Sequence, residues 1–339
     1  MFDTILGGGI PKEKIFLVTG APGAGKSTIA GLAASAWHKS DPRSIVVYAD
    51  AEQSQSQHRL QILGADINRT ILISQGLTVE SLVQVVSSIC KSIINKNIPS
   101  CLFIWDSESA TLSEKQLAAE KVESTIGYKA KLLSWLIPQF VKIATKYNIT
   151  FLIIGQFRDK IQMNAYAPSA GDLKGLGDKT ISGGNVMKYM PFQIATMKPS
   201  EDIKATDYGY AGIITKIKVI KNKLFTPNIE VELVLDYMNG YSDFWTKERL
   251  IRKCKGVTGG GQAQYLINDK NPETKKGNHT FTKKSIKDLY DENEEFRNKF
   301  EELYQDLKTK ALAFPGAISV LAGEPDKDND EESIGPVIS

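Results

Sequence analysis

Gly20-Ala21-Pro22-Gly23-Ala24-Gly25-Lys26-Ser27, with Thr28 beside it, fits the spacing G-x-x-x-x-G-K-[ST]. Residues of these types at this spacing suit a phosphate cradle. Glycines let the backbone curl so that successive N–H groups and a helix N-terminus face one anion. Lys26 then supplies a cation to β- and γ-phosphates, and the Ser27 hydroxyl a ligand for Mg²⁺. Asp106 closes the apolar run that begins at Cys101, where a carboxylate can hold Mg²⁺ through its water shell; taken alone, such an Asp also serves as an N-cap or turn residue. Glu52 follows Tyr48-Ala49-Asp50-Ala51. It can polarise an attacking water at the carboxyl edge of a sheet, or stand as a solvated loop glutamate. Gln156 ends a further apolar run, where its amide either senses a γ-phosphate or closes a strand with an ordinary hydrogen bond.

Such groups need elements to hold them. Lys14 to Thr19 reads as a strand, followed by the glycine-rich turn and a small-residue helix from Ser27 to Lys39. Ser44–Asp50, Cys101–Asp106 and Thr150–Ile154 read as further strands; helical spacing covers Val79–Asn95, and a longer helix ends near Tyr147. Continuous apolar strands alternating with helices indicate an α/β fold with a parallel sheet covered on both faces. Residues 159–184 are rich in Gly, Asp, Lys, Ser and Ala and predict a long loop, functional or disordered. Period-two patterning over 213–220 and 229–235 predicts an antiparallel hairpin that extends the sheet. Residues 243–314 read as a small, mostly helical region with a polar turn segment at 256–278 and a charged helix from Lys284 to Ala311. Residues 315–339 read as a disordered acidic tail, because Glu324 to Glu332 holds six acidic residues against one lysine. The core is expected over 1–242.

The chain has 339 residues, enough for two domains or one large domain with an appendage. Lys plus Arg less Asp plus Glu is 42 − 39 = +3, which excludes a histone-like chain and makes any nucleic-acid contact local. Hydrophobic content of 42% with 24% charged residues is that of a globular protein. No apolar run is long enough to span a membrane, and the start of the chain lacks the pattern of a secretory signal. Cys90, Cys101 and Cys254 have no paired spacing and read as reduced, buried thiols, as in a cytoplasm.

The order of these features resembles the RecA recombinase family, and more closely its phage branch, the UvsX-like recombinases. The likeness covers roughly residues 5–240. It runs through Gly7-Gly8-Gly9-Ile10-Pro11, the phosphate loop, Asp50-Ala51-Glu52 with Leu63-Gly64-Ala65-Asp66, Asp106-Ser107, Gln156 with Arg158 and Lys160, Gly183-Gly184-Asn185, and Lys221-Asn222-Lys223. The resemblance implies a RecA-like core with ATP and Mg²⁺ as cofactors. It makes Glu52 the general base, Asp106 and Ser107 the Walker B pair, and Gln156 the γ-phosphate sensor. By the same likeness, Lys221 and Lys223 reach a neighbouring subunit's ATP; outside that context they are a solvated lysine face. Segments near 107–130 and 159–184 become DNA-binding loops, with Arg158, Lys160, Lys174, Lys179, Gly183, Gly184 and Asn185 at the DNA and Tyr166 as a stacking residue or a loop anchor. Three features depart from the pattern, one of them the region after about Tyr241, which shows no matching signature although its acidic tail fits the family's habit of restraining DNA binding by competing for the basic surface. The family's N-terminal docking helix and strand have no counterpart in the 19 residues ahead of the phosphate loop, and Arg59 stands where the family stacks a tyrosine on adenine.

The resemblance thus implies a DNA-dependent ATPase of a bacterial cell or a phage-infected host's cytoplasm. It would form filaments on single-stranded DNA, pair that strand with double-stranded DNA, and work with single-strand-binding and loader proteins. Two other readings use the same residues: a ring helicase or clock-type ATPase, and a non-polymerising accessory protein that binds ATP as a structural ligand.

Overall fold

The computed structural model describes residues 1–119, 127–159, 176, 179–260, 263–274, 276–314 and 316–322. The chain opens with α1 (Phe2–Leu6), then β1 (Ile15–Gly20), α2 (Lys26–Ser40), β2 (Ile45–Asp50), α3 (Gln57–Ile62), β3 (Thr70–Ile73) and α4 (Val79–Lys96). Next come β4 (Cys101–Asp106), α5 (Glu114–Ala118), α6 (Tyr128–Tyr147), β5 (Ile149–Asp159), β6 (Lys179–Ile181), α7 (Asn185–Tyr189), β7 (Gln193–Ile203) and α8 (Ala205–Tyr208). A run of strands, β8 (Gly212–Asn222), β9 (Ile229–Asp236) and β10 (Gly240–Ser242), leads to α9 (Asp243–Lys253), β11 (Val257–Gly260), β12 (Ala263–Leu266), α10 (Ile286–Glu292), α11 (Glu294–Ala311) and α12 (Ala317–Ala322).

One mixed sheet carries ten strands in the order β10-β9-β8-β7-β1-β5-β4-β2-β3, with β6 paired to the end of β5. The fold is α/β, mostly parallel with an antiparallel extension. Strands β3, β2, β4, β5, β1 and β7 run parallel to their neighbours, and β7 turns the sheet antiparallel by pairing with β8. Each central strand sends alternate side chains to opposite cores, which is why it reads as an unbroken apolar run. Ile15, Leu17, Phe103, Trp105, Phe151 and Ile153 pack with α4 and α6 on one face, where Phe140 stacks on Phe151 at 4.4 Å. Phe16, Val18, Leu102, Ile104, Leu152 and Ile154 pack on the other, against Ile29, Ala30 and Ala34 of α2. A third cluster joins Phe244, Trp245, Phe296 and Phe300 to Ile203, Ile214 and Val234, so α9 to α11 share a core with the antiparallel strands.

Several expectations are corrected. Strand β5 continues through Gln156 to Asp159, because Phe157–Asp159 gain a partner in Lys179–Ile181. Gln156 is therefore inside the strand, not at its end. The segment expected as loop at 159–184 contains structure in its described part: Leu176 and Ile181 are each 3% exposed and join the core. Strands β3 and β7 were not legible, since β3 has four residues and the outer half of β7 is the exposed, charged stretch around Lys198 to Asp202. The helix expected over 284–311 is two helices, divided where the Asn293 side chain caps the second. Within 256–278, β11 and β12 form a hairpin. Residues 317–322, expected as tail, are helical, and Ile318 packs against the cores; residues 323–339 lie outside the described ones. All three cysteines are buried and unpaired. Among the described residues no helix is long and apolar enough to cross a membrane.

The sheet leaves no room at the end of β1. A Cβ on Gly20 would collide with the Met197 carbonyl of β7, so Gly20→Ala is expected to lower the unfolding free energy by about 1–3 kcal/mol in urea denaturation. An unchanged unfolding curve would contradict that close approach.

Candidate functional site

Four strands deliver polar residues to one edge. Gly20 ends β1, Asp50 ends β2, Asp106 ends β4, and Gln156 lies on β5 in register with Gly20; Asp50 and Asp106 are themselves paired. The loop from Gly20 to Gly25 curls through positive φ at Gly23 (71°) and Gly25 (84°), conformations that glycine reaches without strain. Gly25 caps α2, whose first residues are Lys26 and Ser27. The loop is braced from behind: the Ala24 carbonyl accepts from Thr215 Oγ1 at 3.2 Å and from Tyr241 Oη at 3.1 Å. Lys26 Nζ donates to the carbonyls of Gly20 (3.2 Å) and Ala21 (2.7 Å).

Glu52 is the meeting point. Its Oε1 accepts from Ser107 Oγ at 2.5 Å and from Gln156 Nε2 at 3.1 Å. The backbone N–H of Gln156 donates to Ser109 Oγ at 2.9 Å, which locks β5 to the turn after β4. The Asp106–Ser107 peptide bond is cis.

Asp106 is 1% exposed, and its Oδ2 accepts from Tyr48 Oη at 2.7 Å. Burial pushes its pKa up, countered by the Ser27 and Tyr48 hydroxyls and reinforced by Glu52 and Asp50. Burial also lowers the Lys26 pKa, against the pull of Glu52 and Asp106. Asp106 Oδ1 is buried without a hydrogen bond. A buried anionic oxygen left unpaired beside a hydroxyl and a phosphate-type loop is a donor set suited to Mg²⁺, which binds through one or two carboxylates and substrate phosphates. Among the described residues no cluster of three His, Cys, Asp or Glu side chains could hold a metal by itself.

The structure therefore brings together Gly20, Lys26, Ser27, Glu52, Asp106, Ser107 and Gln156. Arg59 sits on α3, tied through Nη1 to the Met238 carbonyl at 2.8 Å. Lys221 and Lys223 lie away from this edge. Lys221 pairs with Ile194, which pairs with Leu17, so it sits three residues of β1, about 10 Å, below the level of Gly20. Lys221 Nζ donates to the carbonyls of Lys188 and Tyr189, and Lys223 Nζ lies 5.6 Å from the Phe192 ring centroid. Arg158 and Lys179 are exposed on the β5–β6 ladder, while Gly183, Gly184 and Asn185 form the turn into α7. Lys160, Tyr166 and Lys174 lie outside the described residues, as does 120–126 of the first expected loop.

Sequence reasoning missed Tyr48, Ser109 and Asp50. Asp50 is fully buried, with Oδ2 accepting from the Gln55 N–H at 2.8 Å. The polar tip of a tyrosine one strand from Asp106 was the available signal.

The family model described as RecA N-terminal domain matches residues 1–242. Protein RecA of Mycoplasma mobile is 29% identical over 306 residues, covering 90% of this chain and 82% of that protein. Protein RecA of Clostridium beijerinckii is 28% identical over 259 residues, covering 74% and 66%. Protein RecA of a Synechocystis strain is 25% identical over 269 residues, covering 79% and 71%.

A carboxyl whose pKa is raised by folding costs the folded state stability as pH rises from the unfolded pKa to the folded one, and the full penalty applies above the latter. Asp106→Asn removes the penalty and keeps an acceptor for Tyr48. It is expected to raise the melting temperature of the ligand-free protein at neutral pH. A lower melting temperature without ligand would contradict the electrostatic account.

Proposed function

Because this chain belongs to the RecA family, we propose that it is a DNA-dependent ATPase that binds single-stranded DNA with ATP and promotes homologous pairing and strand exchange. The observation that carries the reading is the convergence of Ser107 and Gln156 on Glu52 at the phosphate loop. The kinship to the UvsX-like branch rests on the sequence resemblance and belongs to this proposal. So do the division into a core over 1–242 and a C-terminal region over 243–314, the cytoplasmic setting, and the assembly into filaments with single-strand-binding and loader proteins.

The loop N–H groups and Lys26 bind the triphosphate, and Ser27 and Asp106 would hold Mg²⁺. The metal, when bound, offsets charge on the phosphate oxygens. Glu52 Oε2 carries no hydrogen bond among the described residues, so it is available to take a proton from water as the water oxygen bonds to the γ-phosphorus and the β–γ bridge breaks toward ADP. Gln156 has two partners to choose between: Glu52 as seen here, or a γ-phosphate oxygen. A switch of its amide would pull on β5, which leads into the segment proposed to bind DNA.

Lys221 and Lys223 are proposed to complete the hydrolytic charge in trans. Their place well below Gly20 favours a neighbour's nucleotide over their own. The basic residues Arg158, Lys160, Lys174 and Lys179 would neutralise DNA phosphates without reading bases, with Tyr166 stacking on a base and Gly183, Gly184 and Asn185 shaping the exit of the segment. Arg59 would cover the adenine face.

Lys26→Ala is expected to lose nucleotide binding. Glu52→Gln should keep ATP-dependent binding of single-stranded DNA, read by fluorescence anisotropy, and lose turnover by about 10²–10⁴-fold. Lys221→Ala with Lys223→Ala should cut DNA-stimulated hydrolysis by about 10²-fold or more. Wild-type turnover in Glu52→Gln would remove the proposed base.

A further inference from the structure

Ser107, Glu108 and Ser109 are consecutive, and each side chain reaches a different element. Ser107 donates to Glu52, and Ser109 accepts the Gln156 N–H. Between them Glu108 is fully buried, with its carboxylate 3.1 Å from Lys129 Nζ on the first turn of α6. The contact is an ion pair off the hydrogen-bond axis, since Oε1 has no aligned donor. Lys129 Nζ also donates to the Glu108 carbonyl at 2.5 Å, so one ammonium grips both the backbone and the side chain of this residue.

The carboxylate also meets the turn before α7. A Cβ on Gly183 would lie 3.2 Å from Glu108 Cδ, 3.1 Å from Leu133 Cδ1 and 2.6 Å from Met187 Cγ. The turn thus rests directly on Glu108 and α6, with Gly183 at φ 87°. Gly184 caps α7, and the last carbonyls of that helix, Lys188 and Tyr189, receive Lys221 Nζ. The contacts run without a gap from Glu52 through Ser107, Glu108, Gly183 and α7 to Lys221.

A buried ion pair seldom adds more stability than an apolar pair of the same volume. What it does is hold Glu108 to α6 in one arrangement. Packed interiors transmit small shifts when side chains cannot absorb them by changing rotamer. We propose that Glu108 and Lys129 are positioning residues that carry the state of the Glu52–Gln156 cluster to the Gly183 turn, α7 and Lys221, and so link one subunit's nucleotide to the lysine it offers its neighbour. The proposal rests on the nucleotide reading above.

The test is hydrogen exchange of the full chain with and without the non-hydrolysable ATP analogue AMP-PNP and Mg²⁺, with analogue affinity measured separately by fluorescent-nucleotide competition. In the wild type, binding slows exchange over both 107–111 and 183–189. Glu108→Gln with Lys129→Met removes both charges without stranding either. This variant binds the analogue within about threefold of wild type and keeps protection over 107–111, but loses about tenfold of the protection over 183–189. Lys129→Arg, which keeps the charge, retains the transfer, and serves as the comparison with Lys129→Gln if the double variant fails to melt cooperatively. Undiminished protection of 183–189 in the uncharged variants, or none there in a wild type that binds the analogue, overturns the proposal. A wild type that does not bind the analogue overturns the nucleotide reading and this proposal together.

Discussion

A strand buried on both faces has no place for a polar side chain except at its ends. Where α2 covers one face and α4 and α6 the other, the central strands β1, β5, β4 and β2 are largely apolar, and β5 turns polar at Gln156, where it runs on past its neighbours to pair with β6. All four run the same way. Their polar residues therefore gather on one edge, and nearly everything else in the site follows from that constraint. Asp50 and Asp106 face each other because β2 and β4 are paired in register, and Gln156 stands level with Gly20 because β5 and β1 are.

Concentrating acids there has a cost. Asp106 is held ionisable in a buried position, supported by Tyr48 and opposed by Asp50 and Glu52. Lys26 offsets some of this charge from the other side of the loop. The arrangement is destabilised by its own carboxylates, a common property of sites built to bind charged ligands. The phosphate loop is kept in shape independently of any ligand, since Thr215 and Tyr241 brace it from the antiparallel side. This gives the antiparallel extension a part in the site that none of its own residues announces.

The fold was legible where burial and period agree. Strands β1, β2 and β4 are apolar throughout and were readable to within a residue, as were helices α2 and α4. Strand β7 was hidden because Gln193 to Met197 and Ile203 lie in the core while Lys198 to Asp202 between them project into solvent. Strand β6 was hidden because three residues carry no period. The spacing of the glycine loop and the acids at strand ends could be read locally, and Glu52, Asp106 and Gln156 do converge. What could not be read were contacts between separate elements: Tyr48 with Asp106, Ser109 with Gln156, and Glu108 with Lys129. Each joins residues that have no sequence pattern in common and are neighbours only after the strands have paired and the helices have packed on them.

The central claim is that this edge hydrolyses ATP in response to DNA and through neighbouring copies of the chain. It is tested most directly by steady-state ATP hydrolysis with and without single-stranded DNA across a protein titration, with light scattering read in parallel. The account predicts hydrolysis that DNA stimulates, that rises more steeply than protein concentration, and that tracks the growth in scattering. Turnover proportional to protein and indifferent to DNA would contradict it.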